Sequence, residues 1–69
     1  MKAKVNKTYQ HYKGDIYTLL HIAEHTETNE LFVIYSNEEG KVWARPKDMW
    51  ESKVVWQGKE VRRFTLLDN

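Results

Sequence analysis

The chain has 69 residues, 41% apolar and 30% charged, which is enough for one small domain and too little for a second. Eleven Lys and Arg against ten Asp and Glu leave a net charge of +1, so no general attraction draws it to nucleic acid or anionic membranes. Zero cysteines exclude a disulfide scaffold, thiolate metal sites and cysteine nucleophiles, and fit a reducing cytoplasm.

Residues 1–8 are polar and basic without periodicity, which reads as a flexible N-terminal arm ahead of a single domain over 9–69. Their start lacks the apolar run of a signal peptide. Tyr12-Lys13-Gly14-Asp15 is a turn signal. The segment Ile16 to Ala23 fits two templates: Ile16, Leu19, Leu20 and Ala23 follow helical spacing, and Ile16, Thr18, Leu20 and Ile22 alternate as in a strand. Strand is the reading adopted, because strands follow and Thr26 to Glu30 reads as a short polar hairpin loop.

Leu31-Phe32-Val33-Ile34-Tyr35 is dense in β-branched and aromatic residues and is the clearest strand. It is also the longest uninterrupted apolar run, and a membrane span needs about 20 such residues, so a soluble, cytoplasmic protein is expected. Ser36 to Gly40 is a turn, and Lys41 to Arg45 a further strand that Pro46 ends. Pro46 to Glu51 can make one helical turn with Pro at its start. Val54-Val55-Trp56 and Val61 to Leu67 flank Gln57-Gly58-Lys59-Glu60 as a closing hairpin. Five or six short strands with short loops point to a small, mostly β barrel, since closure protects edges that so short a chain cannot cover.

Charge is segregated along the chain. Residues 1–14 carry +4, residues 15–40 carry −6 and residues 41–69 carry +3. Neighbouring strands of opposite sign neutralise one another across a sheet, which is the ordinary role for such blocks.

Tyr9-Gln10-His11-Tyr12-Lys13-Gly14, Tyr17, Ala23-Glu24-His25-Thr26-Glu27-Thr28, Val33-Ile34-Tyr35, Trp43-Ala44-Arg45-Pro46, Met49 and Arg63-Phe64 stand in a characteristic order. In that order and spacing, over roughly residues 9–67, the chain resembles the bacterial and phage domain-of-unknown-function family numbered 1653. The resemblance implies an SH3-like β-barrel and supplies no activity. Thr26 replaces the usual serine of the signature, Trp50 the usual phenylalanine, and Arg62 the proline before Arg-Phe. The Ser36 to Lys41 segment is shorter and more acidic than in relatives.

Two groups of residues are candidates for binding. His25, Thr26, Glu27 and Thr28 place an imidazole, two hydroxyls and a carboxylate in one loop, able either to hold a polar ligand or to cap a tight turn. Trp43 and Arg45 share one face of a strand, where guanidinium and indole can stack, with Pro46, Met49 and Trp50 close behind. Tyr12 and Tyr35 join the candidate ligand-binding set. His21 and His25 are four residues apart, but on a strand they are separated by ~13 Å, too far to share a metal ion, so neither metal nor cofactor is expected.

Nucleic-acid binding would rest on Lys13, Arg45, Lys47, Lys59, Arg62 and Arg63 interleaved with Tyr12, Trp43 and Phe64, yet alternation puts Arg62 and Arg63 on opposite faces and the central block is acidic. Ser36 and Ser52 sit in no nucleophile elbow, and three scattered glycines build no phosphate loop. A non-enzymatic binding module for a small polar ligand or peptide is the reading adopted. The alternatives are an interaction or assembly protein, possibly phage-encoded, as monomer or homodimer, and then a nucleic-acid binder.

Overall fold

The structure, a computed structural model, describes residues 4–67. Seven strands and one helical turn follow in the order β1 (Lys7–His11), β2 (Ile16–Glu24), β3 (Leu31–Ser36), β4 (Val42–Pro46), α1 (Lys47–Trp50), β5 (Lys53–Trp56), β6 (Lys59–Arg62) and β7 (Phe64–Leu66). The small, mostly β fold with a helical turn after Pro46 is the one expected. β4-β3-β2-β1-β7 form one antiparallel sheet, and β5-β6 a separate hairpin.

Three details depart from expectation. Of the arm expected over residues 1–8, the first three lie outside the described residues, whereas Lys7 and Thr8 open β1 and the Asn6 amide donates to the Leu19 carbonyl at 2.7 Å. The single strand expected from Val61 to Leu67 is broken at Arg63, because its first half pairs with β5 and its second with β1 in the other sheet. The backbone of Arg63 bridges the break, its amide donating to Ser52 O and its carbonyl accepting from the Tyr12 amide, both at 3.0 Å. These two changes raise the strand count from five or six to seven. Third, the hydrogen-bonded ladders do not close into a barrel: β4 and β7 are the sheet's edges. The sheet is nonetheless curled, since the Arg45 guanidinium on one edge stands 5.5 Å from the Phe64 ring on the other.

A bulge in β2 resolves the ambiguity of that segment. Leu19 pairs with Tyr35, and the next pair is His21 with Ile34, so Leu20 is the extra residue. Alternation flips there, placing Tyr17 and Leu19 before the bulge and Ile22 after it on the same inner face. Leu19 and Ile22 therefore mimic helical spacing inside a strand. The inner face holds the buried core of Tyr9, Leu19, Val33, Tyr35 and Phe64, which Trp50 covers from α1. Trp50 is 2% exposed and stacks on Phe64 at 3.7 Å with 6° between the rings. The turn that delivers it is held by a Lys47–Glu51 ion pair at 3.0 Å and by Ser52 Oγ donating to Met49 O at 2.6 Å. Among the described residues no helix is long and apolar enough to cross a membrane.

Candidate functional site

The two groups of candidate residues fall on different parts of the molecule. His25 to Thr28 form the exposed tip of the β2–β3 hairpin. There His25 Nδ1 accepts from the amides of Glu27 (3.1 Å) and Thr28 (3.3 Å), Thr28 Oγ1 accepts from the Glu30 amide, and Thr26 Oγ1 donates to Glu27. Asn29, at φ 62°, donates its backbone amide to His25 O, and its side chain donates to Glu24. The imidazole lone pair and the hydroxyls are thus engaged in closing the turn. Next to it, Ala23, Glu24, His25, Phe32, Ile34 and Ala44 line an apolar hollow of about 270 Å³. It lies on the outer face of the sheet, because Ala23, Phe32, Ile34 and Ala44 are the residues alternate to the core.

Trp43 and Arg45 occupy the inner face. They pair across the ladder with Tyr35 and Val33, both buried, and so project with them. Trp43 stacks on Tyr35 at 5.6 Å and meets the Tyr17 edge at 6.0 Å. Lys41 Nζ lies 5.2 Å from the Trp43 ring. Arg45 Nε donates to Tyr35 Oη at 3.4 Å while its guanidinium lies over Phe64. The β3–β4 ladder thus brings Tyr35, Trp43 and Arg45 together and separates them from the His25 turn.

Tyr12 reaches the same neighbourhood through His11. The His11 ring contacts Tyr12 at 4.4 Å and the Phe64 edge at 5.0 Å, and Tyr12 in turn meets Trp56 at 5.2 Å. Trp56, 38% exposed, is the most accessible of the three tryptophans, Trp50 being buried and Trp43 half-buried. His11 Nδ1 accepts from the Lys13 amide at 3.2 Å, which leaves the ring proton on Nε2. Burial, with Arg45, Lys13 and Arg63 nearby and only Asp15 opposing them, lowers the His11 pKa below its ordinary 6.5. Tyr17 is raised above 10.0, by burial first and then by Asp15 and Tyr35. Deeper in the chain's acidic stretch, Asp15, Ile16, Tyr17, Asn37, Glu38 and Glu39 line a polar cleft of about 350 Å³.

His11 and Tyr17 are in none of the candidate binding sets read from the sequence, and Arg63 and Phe64 enter only the nucleic-acid alternative. The available signal was the run Tyr9-Gln10-His11-Tyr12, whose alternate positions Tyr9 and His11 face inward once β1 is recognised as a strand. No group of three or more His, Cys, Asp or Glu side chains able to hold a metal ion occurs among the described residues.

No curated protein matches the chain. The crystal structure of a DUF1653 protein from Bordetella bronchiseptica is similar to it with a TM-score of 0.82 and 28% sequence identity, over 93% of this chain and 87% of that one. The sequence profile of the family described as protein of unknown function (DUF1653) matches residues 7–66, and the chain therefore belongs to that family.

Proposed function

We propose that this protein is a small non-enzymatic binding module, and that its site is the open side of the inner face around Arg45 rather than the His25 turn. The observation that carries this reading is the polar group of Arg45, Tyr35 Oη and His11 set among the rings of Tyr12, Tyr17, Trp43 and Phe64. Binding sites are mostly apolar surfaces with a few convergent polar groups, and His11, Tyr12, Tyr17, Trp43 and Arg45 each keep part of their surface exposed around the buried Tyr35 and Phe64. The ligand is a small polar molecule or a peptide, met in the cytoplasm.

A role in protein assembly draws instead on the β5–β6 hairpin, where Val55 is 77% exposed beside Trp56. Amide NMR spectra recorded free and with pools of nucleotides, short single-stranded nucleic acids and peptides separate the readings. Shifts are expected at Tyr12, Tyr35, Trp43, Arg45 and Phe64. Shifts confined to residues 53–62, or none with any pool, would overturn the inner-face site.

A further inference from the structure

Arg45 is half-buried, and its Nε is committed to Tyr35. A guanidinium has five N–H donors, so the end-on fork of its two Nη groups keeps four. The ion pairs Lys47–Glu51 and Lys53–Glu60 involve neither Arg45 nor Arg63. Arg63 Nε is likewise held, by Ser52 Oγ at 3.0 Å. Both guanidiniums are therefore oriented by neutral hydroxyls and keep their charge.

His11 stands in the same neighbourhood. It pairs with Phe64 across β1 and β7, the ring that Arg45 overlies, and its free N–H is a further donor. Around it the charged groups are Arg45 from β4, Lys13 and Asp15 from the β1–β2 turn, and Arg63 from the β6–β7 break, three cations against one acid. A planar fork bound in this way matches the geometry of a carboxylate or phosphate. The half-buried rings of Tyr12 and Trp43 nearby offer apolar surface for the body that carries such a group, Phe64 itself being covered by Trp50 and Arg45.

We infer that the ligand of this face is an organic oxyanion, a carboxylate or phosphate group seated on the Arg45 fork with its ring or chain lying on the adjoining aromatic side chains. The inference rests on the inner-face reading above and makes its ligand specific. The oxyanion offsets the excess of cations over Asp15 among the described residues of this cluster. It also draws His11 toward the protonated state, since an anion offsets the cations that disfavour the imidazolium.

The test titrates the full chain with benzoate, phenyl phosphate and inorganic phosphate, with benzamide as the uncharged isostere of benzoate. Amide and His11 ring signals are followed by NMR at several pH values. Benzoate or phenyl phosphate is expected to shift Arg45, Phe64 and His11, to raise the His11 pKa, and to bind at least tenfold more tightly than benzamide. Arg45→Met is expected to weaken the better anion at least tenfold, and Arg45→Lys, which keeps the charge and loses the fork, to fall between. Benzoate tighter than phenyl phosphate identifies a carboxylate ligand, and the reverse a phosphate.

Equal binding of benzamide, or anion binding unchanged in a folded Arg45→Met or Arg45→Lys, would overturn the oxyanion and leave the inner-face site standing. The absence of shifts from every anion would also overturn it. If peptides and nucleotides then shift nothing on this face, the site itself falls as well.

Discussion

Trp50 is the side chain whose replacement tests the account of the core most directly. It is 2% exposed, stacked on Phe64, edge-on to Tyr9 at 5.2 Å and tilted against Tyr35 at 5.0 Å. Its indole Nε1–H is buried without an acceptor among the described residues. Trp50→Ala removes the whole plug, at a cost of ~3–5 kcal/mol. A domain of this size has only ~3–5 kcal/mol to lose, so that variant is expected to be unfolded. Trp50→Phe keeps a ring on Phe64. It gives up about one or two methylene equivalents of burial, ~1–2 kcal/mol at ~0.8 each, and a further penalty where the core fails to collapse. Against this it removes an unsatisfied buried donor, which costs ~1–3 kcal/mol to leave unpaired. The two terms nearly cancel, and the variant is expected to unfold within about 1 kcal/mol of the parent. Urea unfolding followed by circular dichroism measures this directly, with an m-value near 1 kcal/mol/M placing the two midpoints within about 1 M. A loss above ~2 kcal/mol for Trp50→Phe, with the m-value unchanged, would refute the reasoning, because it would mean that the indole N–H is satisfied or the cavity rigid.

His25→Ala removes the acceptor of two turn amides at an exposed site. It is expected to cost under about 1 kcal/mol in thermal unfolding while leaving any inner-face ligand's affinity unchanged. Gln57 and Gly58 join β5 to β6 with φ of 52° and 79°, the two left-handed positions of a turn that favours Asn-Gly. Gln57→Asn should therefore raise the urea midpoint, and Gly58→Ala should lower stability by roughly 1 kcal/mol, the reverse order speaking against this turn. Because the folded pKa of His11 lies below 6.5, the neutral ring is favoured by folding. Its contribution is present above pH 6.5 and is lost as pH falls from there through the lowered value. His11→Gln should flatten the decline of stability in that window, and an unaltered pH profile of unfolding would show that the ring titrates freely.

How much of this was legible in the sequence depended on whether the signal was local. The strand from Leu31, the turn at Ser36 to Gly40 and the helical turn after Pro46 are written in β-branched runs, a glycine and a proline, which act over a few residues. Three features depend on distant partners instead. The bulge at Leu20 exists because Tyr35 and Ile34 fix two registers of β2, and neither pairing is visible from β2 alone. The break at Arg63 exists because two strands in different sheets compete for one segment. β1 is short and mostly polar, with Lys7 and Gln10 exposed on opposite sides of it, so Tyr9 is its clearest signal. The candidate site divided for the same reason. Alternation correctly joined Trp43 to Arg45, but it could not show that His25 to Thr28 satisfy their own turn, or that His11 meets Phe64 across a pairing 53 residues apart in the chain.

Arg45 is where the demands of stability and of binding separate. A half-buried guanidinium that has other cations near it and no ion pair with a carboxylate among the described residues is a cost to a domain with little stability to spare. What offsets the cost is modest: a long hydrogen bond of 3.4 Å to Tyr35 and a cation–π contact with Phe64, worth ~0.5–1 kcal/mol where water reaches it. Methionine keeps the unbranched, flexible stem as far as the position of Nε and carries no charge. Arg45→Met is therefore expected to leave the ligand-free domain as stable as the parent, or more so, in thermal and urea unfolding. A loss of more than ~1.5 kcal/mol would make Arg45 a structural residue of the curled sheet, whereas a stable variant that no longer binds shows that the charge is held there for its ligand.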